Sequence, residues 1–338
     1  MLDSVVVSEL DLALVHALQL QPRAPWTDLA PLLGAAAVTL ARRWERLTAQ
    51  GLAWVSAVPG PSFSRSGCTA FVFLRCPPAA RRRLADRVAR LTEAVTVELL
   101  APGHTDLMLD VLTPDLPALH RFIGEELAPL PDVLDVECVL ATSLYAEGSR
   151  WRLRSLDPSQ LSALGRSYTP DATGSAAFNL SLDHTLLDAL VRDGRTRLAD
   201  LAALTGRSTA TVRRRIGLLT TSGIIAFRCD MAPAVSGLPV SITFRGRATA
   251  NDVNRLHRTL ATLPECRLLA AVTGSANVLA TYWVRDIGSV QQRETTACAR
   301  LPSLEVTDRV LGVRTVKRMG HLLDDEGRRL EVCPIRPW

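Results

Sequence analysis

Apolar residues are spaced in two different patterns along the chain. Between residues 183 and 219 their spacing is helical, in three short segments separated by glycines. The inward positions are Leu186, Leu187, Leu190 and Val191 in the first segment and Val212, Ile216 and Leu219 in the third. Between residues 69 and 140, β-rich apolar runs alternate with two helical stretches. The chain therefore combines a small helical domain with an α+β domain.

The helical part predicts a helix-turn-helix. Asp183 or Ser181 is expected to cap the first helix, which ends at Gly194, and a second helix spans Arg197–Leu204. Gly206 supplies a turn residue that tolerates positive φ, and Ser208 or Thr209 caps the third helix. A short strand at residues 224–228 leaves the module. Three short helices in this order are typical of DNA-reading modules.

The α+β part predicts the order βαββαβ. Its strands are expected at 69–74, 95–99, 107–112 and 133–140, and its second helix starts at Asp115 and faces inward through Leu116, Leu119, Ile123 and Leu127. The second half repeats the order from Val240, with a helix bearing Val253, Leu256, Leu260 and Leu263. This is the ferredoxin-like arrangement, whose helices cover one face of the sheet. The other face needs a cover, which a second copy supplies by packing sheet against sheet.

The chain contains this two-part unit twice. Leu10-Asp11 recurs as Leu182-Asp183 and Arg42-Arg43 as Arg214-Arg215, at a spacing of 172 that drops to 171 further on. The expected division is a first helix-turn-helix domain at 1–58, a first ferredoxin-like domain at 66–147, a linker at 148–178 that holds a short helix, a second helix-turn-helix domain at 179–230, a second ferredoxin-like domain at 237–325 and a tail at 326–338. The predicted fold class is α+β: duplicated winged helix-turn-helix and ferredoxin-like domains.

Composition narrows the function classes. The 338 residues carry a formal net charge of +5; a basic surface attracts phosphate, but this charge alone separates a DNA-binding protein from an ordinary one only weakly. Seven cysteines without a CxxC pair indicate reduced thiols, and no metal or cofactor is implied. The first residues lack a secretion signal and no segment reads as a membrane span, so a cytoplasmic protein with no membrane contact is expected.

The third helix of the second half is the predicted recognition helix. The window 195–215 holds six arginines against one acid, whereas the equivalent window 23–43 holds three against one. The predicted DNA contacts are Arg207, Ser208, Thr209, Thr211, Arg213, Arg214 and Arg215 in the second module and Thr39, Arg42, Arg43 and Arg46 in the first. Because the first recognition helix starts with Ala35-Ala36-Ala37, the second module is expected to dominate sequence reading. The first then assists it or binds a partner.

These residues resemble the Lrp/AsnC (feast/famine) family of bacterial transcription regulators. The family pattern is present as Leu182-Asp183, Arg195, Leu201-Ala202, then Gly206, Ser208, Thr211, Val212 and Arg215, and Gly223-Ile224-Ile225. The carboxyl-terminal part, Lys317-Arg318-Met319-Gly320, is similar as well. The resemblance implies that the chain binds double-stranded promoter DNA, and that its ferredoxin-like (RAM) domains bind an effector and oligomerise. A homodimer or tetramer of the tandem chain is expected.

The resemblance also places the effector, commonly an amino acid, near a Gly-x-x-Asp or Gly-x-x-Asn turn at paired-domain interfaces. The matching residues are Gly103, His104, Thr105 and Asp106 in the first half and Gly274, Ser275, Ala276 and Asn277 in the second. The glycines allow close backbone approach, and Asp106 and Asn277 offer polar atoms to an ammonium or amide group. Alternatively, Asp106 and Asn277 only support their turns.

Two other functions compete with the regulator. Siroheme decarboxylases share this domain combination but need tetrapyrrole-facing histidines, for which only His104 is well placed, and their Trp/Tyr-Asn-Leu turn is absent. No catalytic residue is predicted, because no nucleophile, paired-acid or phosphate-loop motif is present. The second competitor is an interaction protein whose helix-turn-helix modules no longer bind DNA.

Overall fold

The computed structural model describes residues 7–63, 67–166 and 180–337. Its helices are α1 Glu9–Leu20, α2 Trp26–Leu33, α3 Ala37–Ala49, α4 Arg81–Val88, α5 Leu116–Arg121, α6 Pro158–Arg166, α7 Leu180–Arg192, α8 Leu198–Thr205, α9 Thr209–Thr221, α10 Pro233–Ser236, α11 Ala250–Val253 and α12 Ser289–Arg300. Its strands are β1 Ala53–Pro59, β2 Cys68–Arg75, β3 Ala94–Leu100, β4 Leu107–Thr113, β5 Asp135–Ala146, β6 Ile225–Met231, β7 Val240–Arg247, β8 Cys266–Val272, β9 Val278–Val284, β10 Glu305–Arg318, β11 His321–Leu323 and β12 Arg329–Val332.

Like parts of the two sequence halves fold together. The first unit comprises residues 1–65 and 152–236, and the second comprises 66–151 and 237–338. Both helix-turn-helix modules therefore lie in the first unit and both ferredoxin-like domains lie in the second. Each domain of the first half thus folds together with its equivalent from the second half.

The second helix-turn-helix forms where the apolar spacing predicts it. Val212, Ile216 and Leu219 of α9 are buried, and Gly206 ends α8 at φ +65°. Ser208 caps α9, because its side chain accepts a hydrogen bond from the Thr211 amide. Ala57 of β1 completes this core, so a strand of the first half packs inside the second module.

The two modules are joined by one antiparallel strand pair. β1 pairs with β6 from Ala53 opposite Met231 to Pro59 opposite Ile225. At its centre Ser56 lies opposite Arg228, and these two residues occupy the same position in the two sequence repeats. A ladder centred on equivalent residues has a local two-fold axis. The covalent tandem therefore reproduces the symmetry of a dimer within one chain.

Two arginines at equivalent positions close this pair reciprocally. Arg195 donates to the carbonyls of Pro22 (2.7 Å) and Ala24 (2.9 Å) and lies 3.9 Å from the ring centre of Trp26. Arg23 donates to the carbonyls on either side of Arg195, those of Gly194 and Thr196. Each guanidinium group thus bonds to the turn that contains the other arginine. We refer to these four bonds as the arginine clasp.

The second unit is a closed ring of antiparallel strands. β3, β4, β2 and β5 form the sheet of the first half, and β8, β9, β7 and β10 form that of the second. The sheets join at both edges, through β5 with β8 and β10 with β3. Sequence analysis predicted that the uncovered sheet faces would pack together. The structure shows that packing and adds hydrogen-bonded edges, which leave no free edge within the ring.

Three cores follow from this geometry. One lies between each sheet and its own helices, with Leu84 and Val88 under the first and Leu256 and Leu260 under the second. A third joins residues of both halves: Phe71, Phe73, Leu100, Met108, Val139, Ala270, Val272, Leu279 and Val310. Strand alternation explains the division, because successive residues point to opposite faces of a sheet. The sheet of one half therefore covers the inner apolar face of the sheet of the other half.

Two helix predictions were wrong in detail. Leu116 was expected to face inward, but it is 58% exposed, and Phe122 is buried instead. The helix widens into a π-type turn at Phe122–Leu127, which shifts the inward face. The stretch 253–263 forms no continuous helix; α11 is followed by short 3₁₀ turns at Leu256–Arg258 and Leu260–Thr262. Asn, Thr and His have low helix propensity here, and the leucines are buried without a regular helix.

The stretches interpreted as linker and tail contain regular structure. Within 148–178, α6 forms and Trp151, Leu156 and Leu164 are buried, while residues 167–179 lie outside the described residues. β12, within 326–338, pairs with β11. In the described ranges, no helix combines the length and apolar character needed to cross a lipid bilayer.

Part of the linker docks on α1 through a buried histidine. The Nδ1 atom of His16 accepts hydrogen bonds from the amides of Ser155 and Leu156, both at 3.0 Å. Burial, together with the charges of Arg152 and Arg154, lowers the pKa of His16 to about 4. Only the neutral ring can accept these bonds.

This docking predicts acid sensitivity of the first unit. The unfolded chain binds a proton at His16 below its ordinary pKa of 6.5, whereas the folded chain resists until about pH 4. Stability is therefore lost as the pH falls from 6.5 toward 4, by about 1–3 kcal/mol. Urea unfolding at pH 7 and pH 5 measures the loss. In His16→Leu this part of the pH dependence should vanish, whereas exposed His120→Gln should retain it.

Candidate functional site

The amino-terminal end of α9 presents a basic, hydroxyl-rich surface. Arg207, Ser208, Thr209, Arg213 and Arg214 are exposed, and Thr211 is half-buried. The Ser208 and Thr211 hydroxyls lie 2.9 Å apart. Within the described part of the chain, Arg207, Arg213 and Arg214 form no ion pair. Their guanidinium groups are therefore available to an external anion.

Arg215, also a predicted DNA contact, has a different environment. Its guanidinium forms two hydrogen bonds with the carboxylate of Asp183, which has no exposed surface, and this bonding raises the pKa of Arg215. Asp183 lies inside α7 rather than at its start, so it is not the cap that was expected; the side chain of Ser181 lies outside the described residues. The pair fixes α9 against α7. Arg215 thus positions the recognition helix.

The first module contains the equivalent ion pair and adds a second arginine to it. Arg43 and Arg46 of α3 both contact the buried carboxylate of Asp11, at 3.1 Å and 2.6 Å. Burial raises the pKa of Asp11, but hydrogen bonds from Ser8, Arg43 and Arg46 outweigh burial and lower the pKa. Of the four contacts predicted in α3, Arg42 is exposed and Thr39 is half-buried. Arg42 is thus the one arginine of α3 without an ion pair in the described ranges.

The sequence analysis missed Asp11 and Asp183 as positioning residues. The repeated Leu-Asp pair was noticed, but it was assigned to helix capping and to the family pattern. An acid at the same place in two helices, each followed 32 residues later by an arginine, could have indicated the ion pairs.

Half of the arginines counted between residues 195 and 215 do not reach the outer surface of α9. Arg195 belongs to the arginine clasp, and burial, together with the charge of Arg23, lowers its pKa to about 10. Arg197 forms an ion pair with Asp200, and Arg215 forms one with Asp183. The basic surface therefore consists of Arg207, Arg213 and Arg214.

Corresponding positions of α3 and α9 carry unlike side chains. Where α9 has Arg207 and Arg213, the first module has Ala35 and Ala41. The exposed Glu45 of α3 corresponds to Gly217. Val38 is 58% exposed and Ala41 is half-buried, so the outer face of α3 is aliphatic in its amino-terminal part, and charged side chains follow from Arg42 onward. The two modules share a backbone plan and differ in surface chemistry.

In the first effector turn, Asp106 is engaged within the protein. One carboxylate oxygen accepts from the Cys76 amide at 3.0 Å, and the other lies 3.1 Å from Nε of Arg81. The carboxylate therefore links the β3–β4 turn to the segment after β2. Gly103 and His104 are exposed and Thr105 is half-buried.

Asn277 occupies the same place in the second half. Its side-chain oxygen accepts from the Ala248 amide and its nitrogen donates to the Ala248 carbonyl, both at 2.9 Å. Gly274 has φ +99° and is exposed with Ser275, while Ala276 is buried. Both turn residues thus support the fold, so an effector would meet the exposed backbone and the His104 and Ser275 side chains.

Family models match both helix-turn-helix modules and the first ferredoxin-like domain. The AsnC-type helix-turn-helix domain matches residues 7–48 and 181–219, and the Lrp/AsnC ligand binding domain matches 69–151. The chain belongs to the Lrp/AsnC family. It is a transcriptional regulator in which the helix-turn-helix is duplicated, and regulators of this type bind DNA and small-molecule effectors and oligomerise.

Two Pyrococcus proteins are similar in sequence to part of the chain. Uncharacterised HTH-type transcriptional regulators of Pyrococcus abyssi and Pyrococcus horikoshii are 26% and 24% identical over 145 residues. Each alignment covers 91% of the relative but 43% of this chain. One relative thus corresponds to less than half of this Lrp/AsnC chain, as the tandem organisation requires.

A solved structure matches nearly the whole chain in fold. The siroheme decarboxylase NirDL, in complex with an iron-uroporphyrin III analogue, superimposes with a TM-score of 0.58 over 92% of this chain and 89% of its own. Its structure without that compound gives 0.57, and the identity is 11% in both cases. At this identity the similarity establishes the fold alone.

Both turns are expected to lose stability when their polar residues are exchanged. Asn277→Asp replaces the donor to the Ala248 carbonyl with an oxygen, so we expect a loss of about 1–3 kcal/mol at pH 7. Asp106→Asn keeps an acceptor for the Cys76 amide but removes the charge partner of the mostly buried Arg81, so we expect a loss of about 1–3 kcal/mol as well. Denaturant unfolding measures both changes.

A measurement at acid pH distinguishes the loss of the hydrogen bond to the Ala248 carbonyl from a packing defect. Below the pKa of the carboxyl group that Asn277→Asp introduces, its protonated form can donate to Ala248 again, so the loss should shrink at pH 4. An equal loss at both pH values would contradict the hydrogen-bond account.

Proposed function

We propose that this chain binds operator DNA through the outer faces of α9 and α3, with α9 providing most of the sequence discrimination. The observation that carries the proposal is the exposure of Arg207, Arg213 and Arg214 on a helix fixed by the Asp183–Arg215 pair. Bidentate arginine contacts to guanine are the commonest specific contact in the major groove. Arg42 of α3 adds a phosphate contact.

The division of roles among arginines supports this proposal. Five arginines hold the helices in place by bonding within the unit: Arg195 and Arg215 of the second module, and Arg23, Arg43 and Arg46 of the first. A helix that enters a groove needs such support, since misplacement of the reading face removes base contacts. The exposed arginines are left to contact nucleic acid.

Neutralising the exposed arginines should abolish specific binding without unfolding the chain. For Arg213→Ala with Arg214→Ala we expect operator affinity to fall about 100-fold, because one to two strong contacts of about 1–3 kcal/mol are lost. Fluorescence anisotropy at several salt concentrations measures the affinity and the number of phosphate contacts.

Arg192→Ala is the control for loss of a single surface charge, because Arg192 is exposed on α7 of the same unit. It removes one charge and should change affinity less than threefold, a surface-charge effect. Unchanged operator affinity in the double variant, with a native unfolding transition, would refute the assigned reading surface.

For the second unit we propose an amino acid or related metabolite as effector, bound at the turns 103–106 and 274–277. The exposed glycines let a ligand approach the backbone, and His104 and Ser275 add polar side chains. Binding would favour one assembly of tandem chains, a dimer or a tetramer, over another and so change the spacing of DNA-reading surfaces.

This effector proposal predicts a ligand-dependent change in both stability and assembly. A thermal-shift screen of the twenty amino acids should reveal at least one that raises the melting temperature, since binding to the native state stabilises it. Light scattering with that compound should show a changed mass. If no amino acid shifts melting or mass, the effector class is wrong while DNA binding stands.

We propose no enzymatic activity, and we place the chain in the cytoplasm because a DNA-binding regulator has to reach the chromosome. The competing decarboxylase hypothesis makes a separate prediction: purified protein titrated with siroheme would show a saturable shift of the tetrapyrrole absorption band. The regulator hypothesis predicts no such shift.

A further inference from the structure

The first unit combines a symmetric scaffold with an asymmetric surface. Its β1–β6 ladder is centred on equivalent residues, and its arginine clasp joins equivalent turns in both directions. α3 and α9 occupy the same position in the two repeats and follow this two-fold relation. Symmetry therefore extends through the backbone and the buried supports.

The symmetry stops at the outer faces. The face of α9 carries the guanidinium groups of Arg207, Arg213 and Arg214, whereas the corresponding positions of α3 carry Ala35, Ala41 and Arg42. The cap differs too: Ser208 accepts from the Thr211 amide, while Ala36, the residue before α3, provides no side-chain cap. The difference is thus concentrated where a groove would be contacted.

A two-fold protein with identical faces reads a palindrome, because each half-site meets the same side chains. A homodimer of separate chains follows this rule, because one sequence forms both faces. Here each face has its own sequence on one chain. The two half-sites are free to differ, and binding in the reverse orientation would place each face on the wrong half-site.

We propose that one chain reads a single non-palindromic operator in one orientation, with a guanine-containing half-site under α9 and an A·T half-site under α3. This rests on the proposed DNA-binding function. Guanidinium groups pair with guanine O6 and N7, which specifies the first half-site. The aliphatic face around Val38 and Ala41 suits thymine methyl groups, which specifies the second.

The first test is selection of duplexes from a random library by the full chain. The expected operator has two unlike half-sites whose centres lie about 10 base pairs apart, one helical turn. Its affinity should exceed by about tenfold that of an inverted repeat of either half-site, since one bidentate contact is lost or mismatched. Anisotropy titrations with the three duplexes measure this ratio.

A graft gives the second test through a gain of function. Ala35→Arg with Ala41→Arg copies the α9 face onto α3, so the preference should move by about tenfold to the inverted repeat of the guanine-containing half-site. Ala49→Arg with Gln50→Arg adds the same charge at the exposed far end of α3 and should keep the wild-type preference.

The reverse exchange, Arg207→Ala with Arg213→Ala, guards against a graft that fails to fold. It should weaken binding and favour the inverted repeat of the A·T half-site. Selection of a palindrome by the wild-type chain, or a graft that folds with unchanged preference, would overturn the inference while leaving DNA binding intact. Absence of any complex at low salt would instead defeat the proposed function, and the inference with it.

Discussion

Unsatisfied sheet edges and faces are the constraint on which this structure depends. A ferredoxin-like sheet covered by helices on one side leaves an apolar face and two edges, and a lone strand after a helix-turn-helix leaves all its hydrogen-bonding groups unpaired. The second copy in the chain covers the apolar face, pairs with the sheet edges and pairs with the lone strand. β1 pairs with β6, β5 with β8 and β10 with β3, and the faces bury Phe71, Phe73 and their neighbours.

Covalent duplication changes what such a dimer can become. In a homodimer any substitution on a reading helix appears twice, so the two faces stay alike. In the tandem chain the supports remained paired, as the arginine clasp and the two buried aspartates show, while the outer faces of α3 and α9 diverged. The scaffold therefore keeps the geometry of a dimer and gives each half its own chemistry.

The buried ion pairs explain why similar arginines have different roles. Breaking a buried pair by removing one partner costs about 3–5 kcal/mol, so Asp183 and Arg215 hold α9 firmly. An exposed arginine such as Arg213 contributes little to folding, because surface charges are well solvated. Burial therefore distinguishes the arginines that position a helix from those that remain exposed. Two adjacent residues of one helix can differ in this respect.

The sequence alone determined most of the elements, their order and their duplication, because apolar spacing and turn residues act locally; it did not predict the 3₁₀ turns at Leu256–Arg258 and Leu260–Thr262. Gly206, Ser208 and the buried face of α9 needed no tertiary information. Only the tertiary structure decided which strands meet across copies, that Arg195 lies in the arginine clasp and that Asp183 pairs with Arg215 instead of capping α7. These are contacts between residues distant in sequence, or between helices whose rotation is set by packing, and no local pattern encodes them. The turn residues Asp106 and Asn277 belong to the same class, since their partners Cys76 and Ala248 lie about 30 residues away.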